Sequence, residues 1–202
     1  MRGIDPARVF CQSQPQECAM ELKTADLVVR HQDGLLRAAQ AGPVLDVACG
    51  DGRNGLYLAR RGARVLLVDQ RDEARSVLDR LGGMPNARFQ AMDLESGQPP
   101  DFPFRYFGAV LVFRYLYRPL IPILRDCLVP GGMLLYETYM LGQERHGRPR
   151  NINHLLRPGE LLDWFGDWEV LEHFENGKDD PPPLMGRIAC RKPSAVASGA
   201  AS

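Results

Sequence analysis

Residues 44–69 read VLDVACGDGRNGLYLARRGARVLLVD, and this stretch determines the fold that we expect. An apolar strand at Val44–Val47 leads into a glycine-containing turn at residues 48–52, and a helix follows. A second apolar strand at residues 65–68 then ends on Asp69. A strand, a helix and another strand in this order form the first crossover of an open parallel sheet, whose ligands bind at the carboxyl ends of the strands.

The rest of the chain supplies further elements of the same kind. Hydrophobic periodicity predicts helices at residues 21–40 (interrupted around Gly34), 73–81, 119–128 and from 158 onward. Apolar runs predict strands at residues 87–91, 107–113, 133–138, 168–174 and 186–191. The last two strands follow each other without a helix, so they should pair antiparallel. The predicted fold is a single-domain α/β structure: a Rossmann-like, seven-stranded, mostly parallel sheet with helices on both faces and an antiparallel last strand.

The composition limits the partners and the location that we expect. The 202 residues include 25 basic and 25 acidic side chains, so no overall charge attracts nucleic acid or an anionic membrane. No apolar run approaches the length of a membrane span, and the first residues lack the apolar segment of a secretion signal. Five scattered cysteines have no metal-binding spacing, which favours reduced thiols in the cytoplasm and no metal site. We expect a flexible segment at residues 1–20, one domain at 21–193 and a disordered tail at 194–202. We expect the protein to be a monomer or a dimer.

Two classes of cofactor fit the glycine turn. Residues 50–55 match the GxGxxG pattern of dinucleotide-binding proteins, which is a weak signal when it occurs alone. Asp46 precedes the turn and would repel a pyrophosphate, whereas it suits a ligand with an ammonium group. S-adenosylmethionine has an ammonium group, a ribose that Asp69 could bind, and no phosphate. Asp46 could also simply cap the turn through backbone amides.

The stretch from Asp46 to Asn54, DVACGDGRN, resembles motif I of class I methyltransferases, in a variant with Ala48 where glycine is commoner. More narrowly, residues 49–59 and the segments 157–161 and 168–170 resemble the tellurite-resistance methyltransferase group. The resemblance implies S-adenosylmethionine as cofactor, a methyltransferase domain at residues 21–193, and a last strand inserted beside the fifth. It implies cofactor contacts from Asp46, Ala48, Gly50, Gly52, Asn54, Asp69, Gln70, Asp93, Leu94 and Phe113. Asp93, expected near the adenine, could instead be ordinary turn chemistry.

The acceptor should lie at the ends of the fourth and fifth strands. Arg114 and Tyr115 follow the fourth strand, and Arg150 and His154 lie in a basic, irregular segment after the fifth. These four side chains are the predicted substrate-facing residues, and guanidinium groups there could hold an anionic acceptor. The segment could equally be a solvated basic loop.

The predicted activity is methyl transfer to a small anionic or soft acceptor of the thiol or chalcogen type. An RNA methyltransferase using residues 145–157, a non-catalytic S-adenosylmethionine-binding protein and an NAD-dependent oxidoreductase are the alternatives. Residues 176–180, NGKDD, replace a His- and Arg-containing stretch of the tellurite group, which argues against tellurite itself.

Overall fold

The computed structural model describes residues 23–70, 77, 82–177 and 179–194. The predicted segment at residues 1–20, the predicted helix at 73–81 (apart from residue 77) and the tail beyond residue 194 lie outside the described residues. The strands are β1 (Val44–Val47), β2 (Val65–Asp69), β3 (Ala87–Ala91), β4 (Phe107–Phe113), β5 (Leu128–Tyr139), β6 (Glu169–Glu175) and β7 (Met185–Arg191). The described α-helices are α1 (Asp26–Arg30), α2 (Gln32–Ala38), α3 (Arg53–Ala59), α4 (Ile121–Cys127) and α5 (Glu160–Phe165). Short 3-10 helices occur at Arg118–Leu120, Gln143–Arg145 and Ile152–His154.

The strands form one sheet in the order β3-β2-β1-β4-β5-β7-β6. Strands β1 to β5 pair in parallel, and β7 is antiparallel to both β5 and β6. The predicted fold is therefore confirmed, including the insertion of the last strand beside the fifth. The chain reverses its direction of travel across the sheet between β1 and β4, and open α/β sheets bind ligands at such a switch point.

Two hydrophobic cores cover the two faces of this sheet. Alternate residues of β4 enter different cores, with Val110 and Val112 on one face and Ala109 and Leu111 on the other. Helices α4 and α5 pack on the first face, and α1, α2 and α3 pack on the second. All seven residues of β4 are buried, as expected for a central parallel strand.

Two predicted boundaries are wrong for reasons of packing. The break in the first helix falls at His31 instead of near Gly34, which lies inside α2. A Cβ on Gly34 would stand 2.8 Å from Met133 Sδ, so this glycine allows close packing of the helix on the sheet. The fifth strand, predicted at residues 133–138, begins earlier, at Leu128, so residues 130–132 are part of β5 where its register with β4 shifts from Phe107–Leu128 to Ala109–Met133. Within the described residues, no helix combines the length and apolar character needed to cross a membrane.

Candidate active site

The turn between β1 and α3 has an unusual backbone. Ala48, Gly50 and Gly52 all have positive φ angles, of 49°, 56° and 73°. Glycine adopts this conformation at little cost, whereas a residue with a Cβ loses roughly 1–2 kcal/mol. The turn is tied to the end of β2, because Asp69 Oδ2 accepts a hydrogen bond of 2.8 Å from the Gly50 N–H. The backbone of the turn and the acid at the tip of β2 thus form one rigid unit.

Asp46 lies beneath this turn and is 2% exposed. Its Oδ2 accepts a hydrogen bond of 2.8 Å from the Gly55 N–H in the first turn of α3. Burial raises the pKa of Asp46 from 3.8 to about 7, and the charges of Asp51 and Asp69 add to the rise. The capping contact considered from the sequence is therefore present. The negative charges of Asp51 and Asp69 beside Asp46 favour a cationic ligand at this position.

Asn54 links the turn to the beginning of the described chain. Its side-chain oxygen accepts a hydrogen bond of 2.9 Å from the Ala25 N–H, so the start of α1 is held beside the start of α3. Sequence reasoning predicted a cofactor contact for Asn54 but gave no signal for this link. Residues 23–26 consequently lie at the carboxyl edge of the sheet, next to the glycine turn.

The predicted ribose and adenine residues lie at the neighbouring strand tips. Asp69 is 3% exposed, Gln70 is exposed, and the Met92 N–H bonds to the Asp69 carbonyl at 3.0 Å. Asp93 is exposed, and its Oδ1 accepts a hydrogen bond of 2.9 Å from the Glu95 N–H, which is the turn chemistry considered from the sequence. Leu94 and Phe113 are buried apolar side chains that could border an adenine ring.

The charges around the turn distinguish between the two cofactor classes. Asp51 and Asp69 are close enough to Asp46 for their negative charges to raise its pKa. A pyrophosphate would add two negative charges to this group, whereas S-adenosylmethionine brings a sulfonium and an ammonium group. The residues present therefore fit S-adenosylmethionine and disfavour a dinucleotide.

A basic pocket of about 260 Å³ adjoins the glycine turn. We call it the arginine pocket, and it is lined by Lys23, Thr24, Ala25, Asp26, Arg30, Arg53, Arg114, Glu137 and Arg187. Its walls come from the region around α1, the start of α3 and the ends of β4, β5 and β7 that share one edge of the sheet.

The cations of the arginine pocket fall into two groups. Arg30 and Arg187 share the single carboxylate of Glu172, at 2.8 and 2.9 Å, so each has an acid partner within the fold. Arg53 and Arg114 form no ion pair with any residue that the structure describes. Arg114 also has a positive φ of 56°, held by a 2.8 Å hydrogen bond from its N–H to the Glu137 carbonyl. Strained backbone of this kind concentrates at functional sites.

The other predicted substrate-facing residues lie outside the lining of the arginine pocket. The Tyr115 hydroxyl is buried without a hydrogen-bond partner among the described residues, and burial together with the nearby charge of Glu95 raises its pKa. His154 Nδ1 lies 3.3 Å from the Leu116 carbonyl oxygen, and Arg150 is exposed on its loop. Of the four predicted residues, Arg114 is the one that lines this pocket.

Sequence reasoning missed most of the pocket. Arg53 directly follows Gly52, so its position alone could have suggested it, whereas Glu137 was among the side chains expected at the tip of the fifth strand, without an assigned role. Arg30 and Arg187 are remote in sequence, and no local pattern indicates them.

Neither cysteine nor metal chemistry is indicated in the part of the chain that the structure describes. Burial and the carboxylates of Asp46 and Asp69 raise the pKa of the Cys49 thiol, which therefore stays protonated. No group of three or more His, Cys, Asp or Glu side chains among the described residues is arranged to hold a metal ion.

Known proteins share both the sequence pattern and the fold. Residues 44–132 match the family model described as a methyltransferase domain. The probable S-adenosyl-L-methionine-dependent methyltransferase TehB of Haemophilus influenzae is 26% identical over 139 residues, or 66% of this chain and 48% of that protein. The chain thus spans about half the length of the curated relatives it matches.

Two solved structures illustrate the shared fold. The crystal structure of TehB from Haemophilus influenzae has a TM-score of 0.61 and 22% identity, over 80% of this chain and 62% of that chain. An S-adenosylmethionine dependent methyltransferase from Mesorhizobium loti has a TM-score of 0.59 and 17% identity, over 78% of this chain and 95% of that chain. These matches show that the chain shares the fold of these methyltransferases, and that residues 44–132 resemble a methyltransferase domain.

Proposed function

We propose that this protein transfers a methyl group from S-adenosylmethionine to a small acceptor that carries an anionic group. The observation that supports the proposal is the arginine pocket, where Arg53 and Arg114 face a cavity beside the glycine turn without an acid partner among the described residues. Two guanidinium groups that line one cavity, without acid partners among the described residues, favour binding of a carboxylate, phosphate or similar oxyanion.

In this proposal the cofactor occupies the cleft along the tips of β1, β2 and β3. The bound cofactor supplies an electrophilic methyl group on a sulfonium ion. Asp46 and the backbone of Gly50 and Gly52 hold the methionine end, Asp69 holds the ribose hydroxyls, and Asp93 with Leu94 borders the adenine. Ala48, Asn54, Gln70 and Phe113 complete the proposed cofactor contacts.

In this proposal, Arg53 and Arg114 each bind one of the two negative groups of the reactants. Arg53 begins α3 next to Gly52 and binds the carboxylate of the methionine moiety. Arg114 stands at the tip of β4 and binds the anionic group of the acceptor. In-line transfer requires chiefly that the nucleophile be held on the axis of the sulfonium–methyl bond, so positioning by Arg114 contributes directly to rate. Tyr115, Arg150 and His154 remain proposed acceptor contacts that would join from the loop side.

The size of the pocket favours a small acceptor over RNA. Its volume of about 260 Å³ lies below the roughly 300–1,000 Å³ of drug-sized ligand sites. The segment at residues 145–157 is anchored to the fold through its backbone, since Arg118 donates to the carbonyls of Asn153 and Leu155 at 2.7 and 3.0 Å. The cytoplasm, where thiols stay reduced, is the proposed location.

Calorimetric titration with S-adenosylmethionine, S-adenosylhomocysteine and NAD tests the proposal. We expect saturable binding of the first two, no binding of NAD, and at least tenfold weaker binding by Asp69→Ala. Asp101→Ala removes an exposed carboxylate before β4 and serves as the matched control with unchanged affinity.

Release of S-adenosylhomocysteine with an anionic acceptor then distinguishes an enzyme from a binding protein. NAD binding without S-adenosylmethionine binding contradicts the cofactor assignment. Tight cofactor binding without turnover of any anionic acceptor contradicts the proposed activity.

A further inference from the structure

We propose that Glu137 accepts the proton of the methyl acceptor, and that the acceptor is a small amine which also carries a carboxylate or phosphate. This inference rests on the proposed function and specifies its substrate class. It follows from one carboxylate that lines the arginine pocket without a partner in the part of the chain that the structure describes, and from the charges that surround it.

Glu137 has no hydrogen bond or ion pair with its carboxylate among the residues that the structure describes. This is unexpected, because Arg187 stands directly opposite Glu137 in the antiparallel pair of β5 and β7. Opposite charges at such positions usually pair. Here the Arg187 Nε donates instead to Glu172 Oε1 at 2.9 Å, and Arg30 and His31 bind the same carboxylate. Because Arg187 pairs with Glu172, it does not pair with Glu137.

The position of Glu137 suits a reacting group. It pairs in register with Phe113 at the tip of β4, one residue before Arg114, so it lies beside the proposed anion-binding guanidinium. It is half-buried and lines the cavity together with Arg53, which adjoins the glycine turn. An acceptor bound to Arg114 is thus held next to a carboxylate that has no partner among the described residues.

The local charges allow Glu137 to exchange a proton. Burial raises its pKa, the cations Arg187, Arg114 and Arg30 oppose that rise, and Asp26 adds to it. A general base works best when its pKa lies nearer the working pH than that of an ordinary carboxylate, and the burial acts in that direction.

The same carboxylate selects the chemistry of the nucleophile. A thiolate or an oxyanion would place a second negative charge against Glu137, which costs free energy in a half-buried site. An alkyl hydroxyl is too weak an acid for a carboxylate to deprotonate appreciably. An amine arrives as an ammonium ion, which the carboxylate attracts and can deprotonate. The amine with an anionic group is therefore the acceptor that satisfies Glu137 and Arg114 together.

The proton and electron balance of the proposed step is complete. The acceptor ammonium gives one proton to Glu137, which becomes a neutral carboxylic acid, and the nitrogen regains its lone pair. That lone pair forms the new N–CH₃ bond while the methyl–sulfur bond breaks, and its electrons remain on sulfur to give the thioether of S-adenosylhomocysteine. The product leaves as a methylammonium ion, and Glu137 loses its proton to solvent.

Substitution of Glu137 separates this role from a structural one. Glu137→Gln should lower kcat by about 10²- to 10⁴-fold, the usual contribution of a general base, and leave the affinity for S-adenosylmethionine within twofold. Glu137→Asp should restore part of the rate, because a shorter carboxylate can still accept the proton. Glu169→Gln makes the same change at the exposed far end of β6 and should leave the rate unchanged.

The pH profile provides a second readout. At saturating cofactor, the wild-type kcat should fall at acidic pH as Glu137 becomes protonated, and Glu137→Gln should lose this acidic limb. The charged groups that face Glu137 from the surrounding elements remain in the variant: Lys23, Asp26, Arg30, Arg53, Arg114 and Arg187. An acidic limb that persists unchanged in Glu137→Gln, or a kcat within threefold of wild type, contradicts the proposal.

Matched acceptors identify the nucleophile. Two series differ only in that group: glycine, mercaptoacetate and acetate; β-alanine, mercaptopropionate and propionate. Without cofactor, at least one amine should bind at least tenfold more tightly than its unsubstituted acid, and Glu137→Gln should abolish the difference. With cofactor, that amine should release S-adenosylhomocysteine.

The possible outcomes distinguish a failure of the role of Glu137 from a failure of the proposed function. Turnover of thiols or of the oxyanions selenite and tellurite, without turnover of any amine, overturns the role of Glu137 and retains the methyltransferase. Cofactor binding without an amine that binds or turns over also overturns the inference. Failure to bind S-adenosylmethionine overturns the proposed function itself.

Discussion

Replacing Asp46 with asparagine should stabilise the protein at pH 8 and at the same time weaken cofactor binding. Asparagine has nearly the same shape, and its Oδ1 can keep the 2.8 Å hydrogen bond from the Gly55 N–H. It removes a carboxylate whose pKa burial raises from 3.8 to about 7. The substitution therefore isolates the free-energy effect of one buried negative charge.

The magnitude follows from the pKa difference. Since each pH unit corresponds to about 1.36 kcal/mol, the interval from 3.8 to about 7 amounts to about 4 kcal/mol of lost stability once Asp46 is ionised. The new amide N–H₂ group needs a partner in the interior and takes back about 1 kcal/mol. The expected gain at pH 8 is about 3 kcal/mol, or about 6–12 °C in Tm for a domain of this size.

The sign of the pH dependence can be stated in advance. Between pH 4 and 7 the folded protein keeps a proton on Asp46 that the unfolded chain has lost, so the free energy of unfolding of the wild type falls as pH rises through this window. Asp46→Asn should lack this fall, and below pH 4, where Asp46 of the wild type is neutral as well, the variant should be less stable than the wild type by about 1 kcal/mol, which is what its amide costs. Urea unfolding at several pH values measures both curves, with Asp101→Asn as an exposed control.

Cofactor binding supplies the second half of this prediction. An ammonium group near Asp46 favours its ionised form, so S-adenosylmethionine should release up to one proton on binding at pH 6. Calorimetry in buffers of different ionisation enthalpy detects this proton, and Asp46→Asn should release none and bind more weakly. A variant that is destabilised at pH 8, or whose unfolding keeps the wild-type pH dependence, refutes the reasoning.

Three further substitutions test the packing of the site. Arg114→Gly should be more stable than Arg114→Ala by about 1 kcal/mol in urea unfolding, because only glycine relieves the positive φ of 56°, while both raise the acceptor KM; equal stability contradicts the strain. Arg118→Lys should lower the free energy of unfolding by about 2 kcal/mol in the same assay. Glu160 is 8% exposed, and it would lose its two hydrogen bonds of 2.6 and 2.9 Å from the guanidinium group. A variant as stable as the wild type shows that lysine suffices. Gly55→Ala should be less stable than the wild type by about 1–3 kcal/mol, measured as a lower Tm, since the new Cβ would stand 2.8 Å from Asp46 Oδ2. An unchanged Tm means that the Asp46 side chain moves aside.

The sequence by itself determined the architecture and the glycine turn at which we propose that the cofactor binds. Strand and helix periods are local properties, so β1, β4 and the glycine turn could be predicted from neighbouring residues alone. Asp46 and Asp69 flank that turn within one crossover, and the parallel arrangement brings both to the same edge of the sheet. The resemblance to class I methyltransferases depends on this short segment and on the strands that follow it.

The arginine pocket, which we propose binds the acceptor, was decided by the tertiary structure. The arginine pocket combines residues from 23–30, 53, 114, 137 and 187, which become neighbours only when β7 inserts beside β5 and α1 is held to α3. Whether a charge is free depends on what packs against it, and Glu172 binds Arg30 and Arg187 while Glu137 stays unpaired among the described residues. A side chain's partner is a property of distant segments brought together, so a pattern of neighbours along the chain cannot reveal which charges remain available for a substrate.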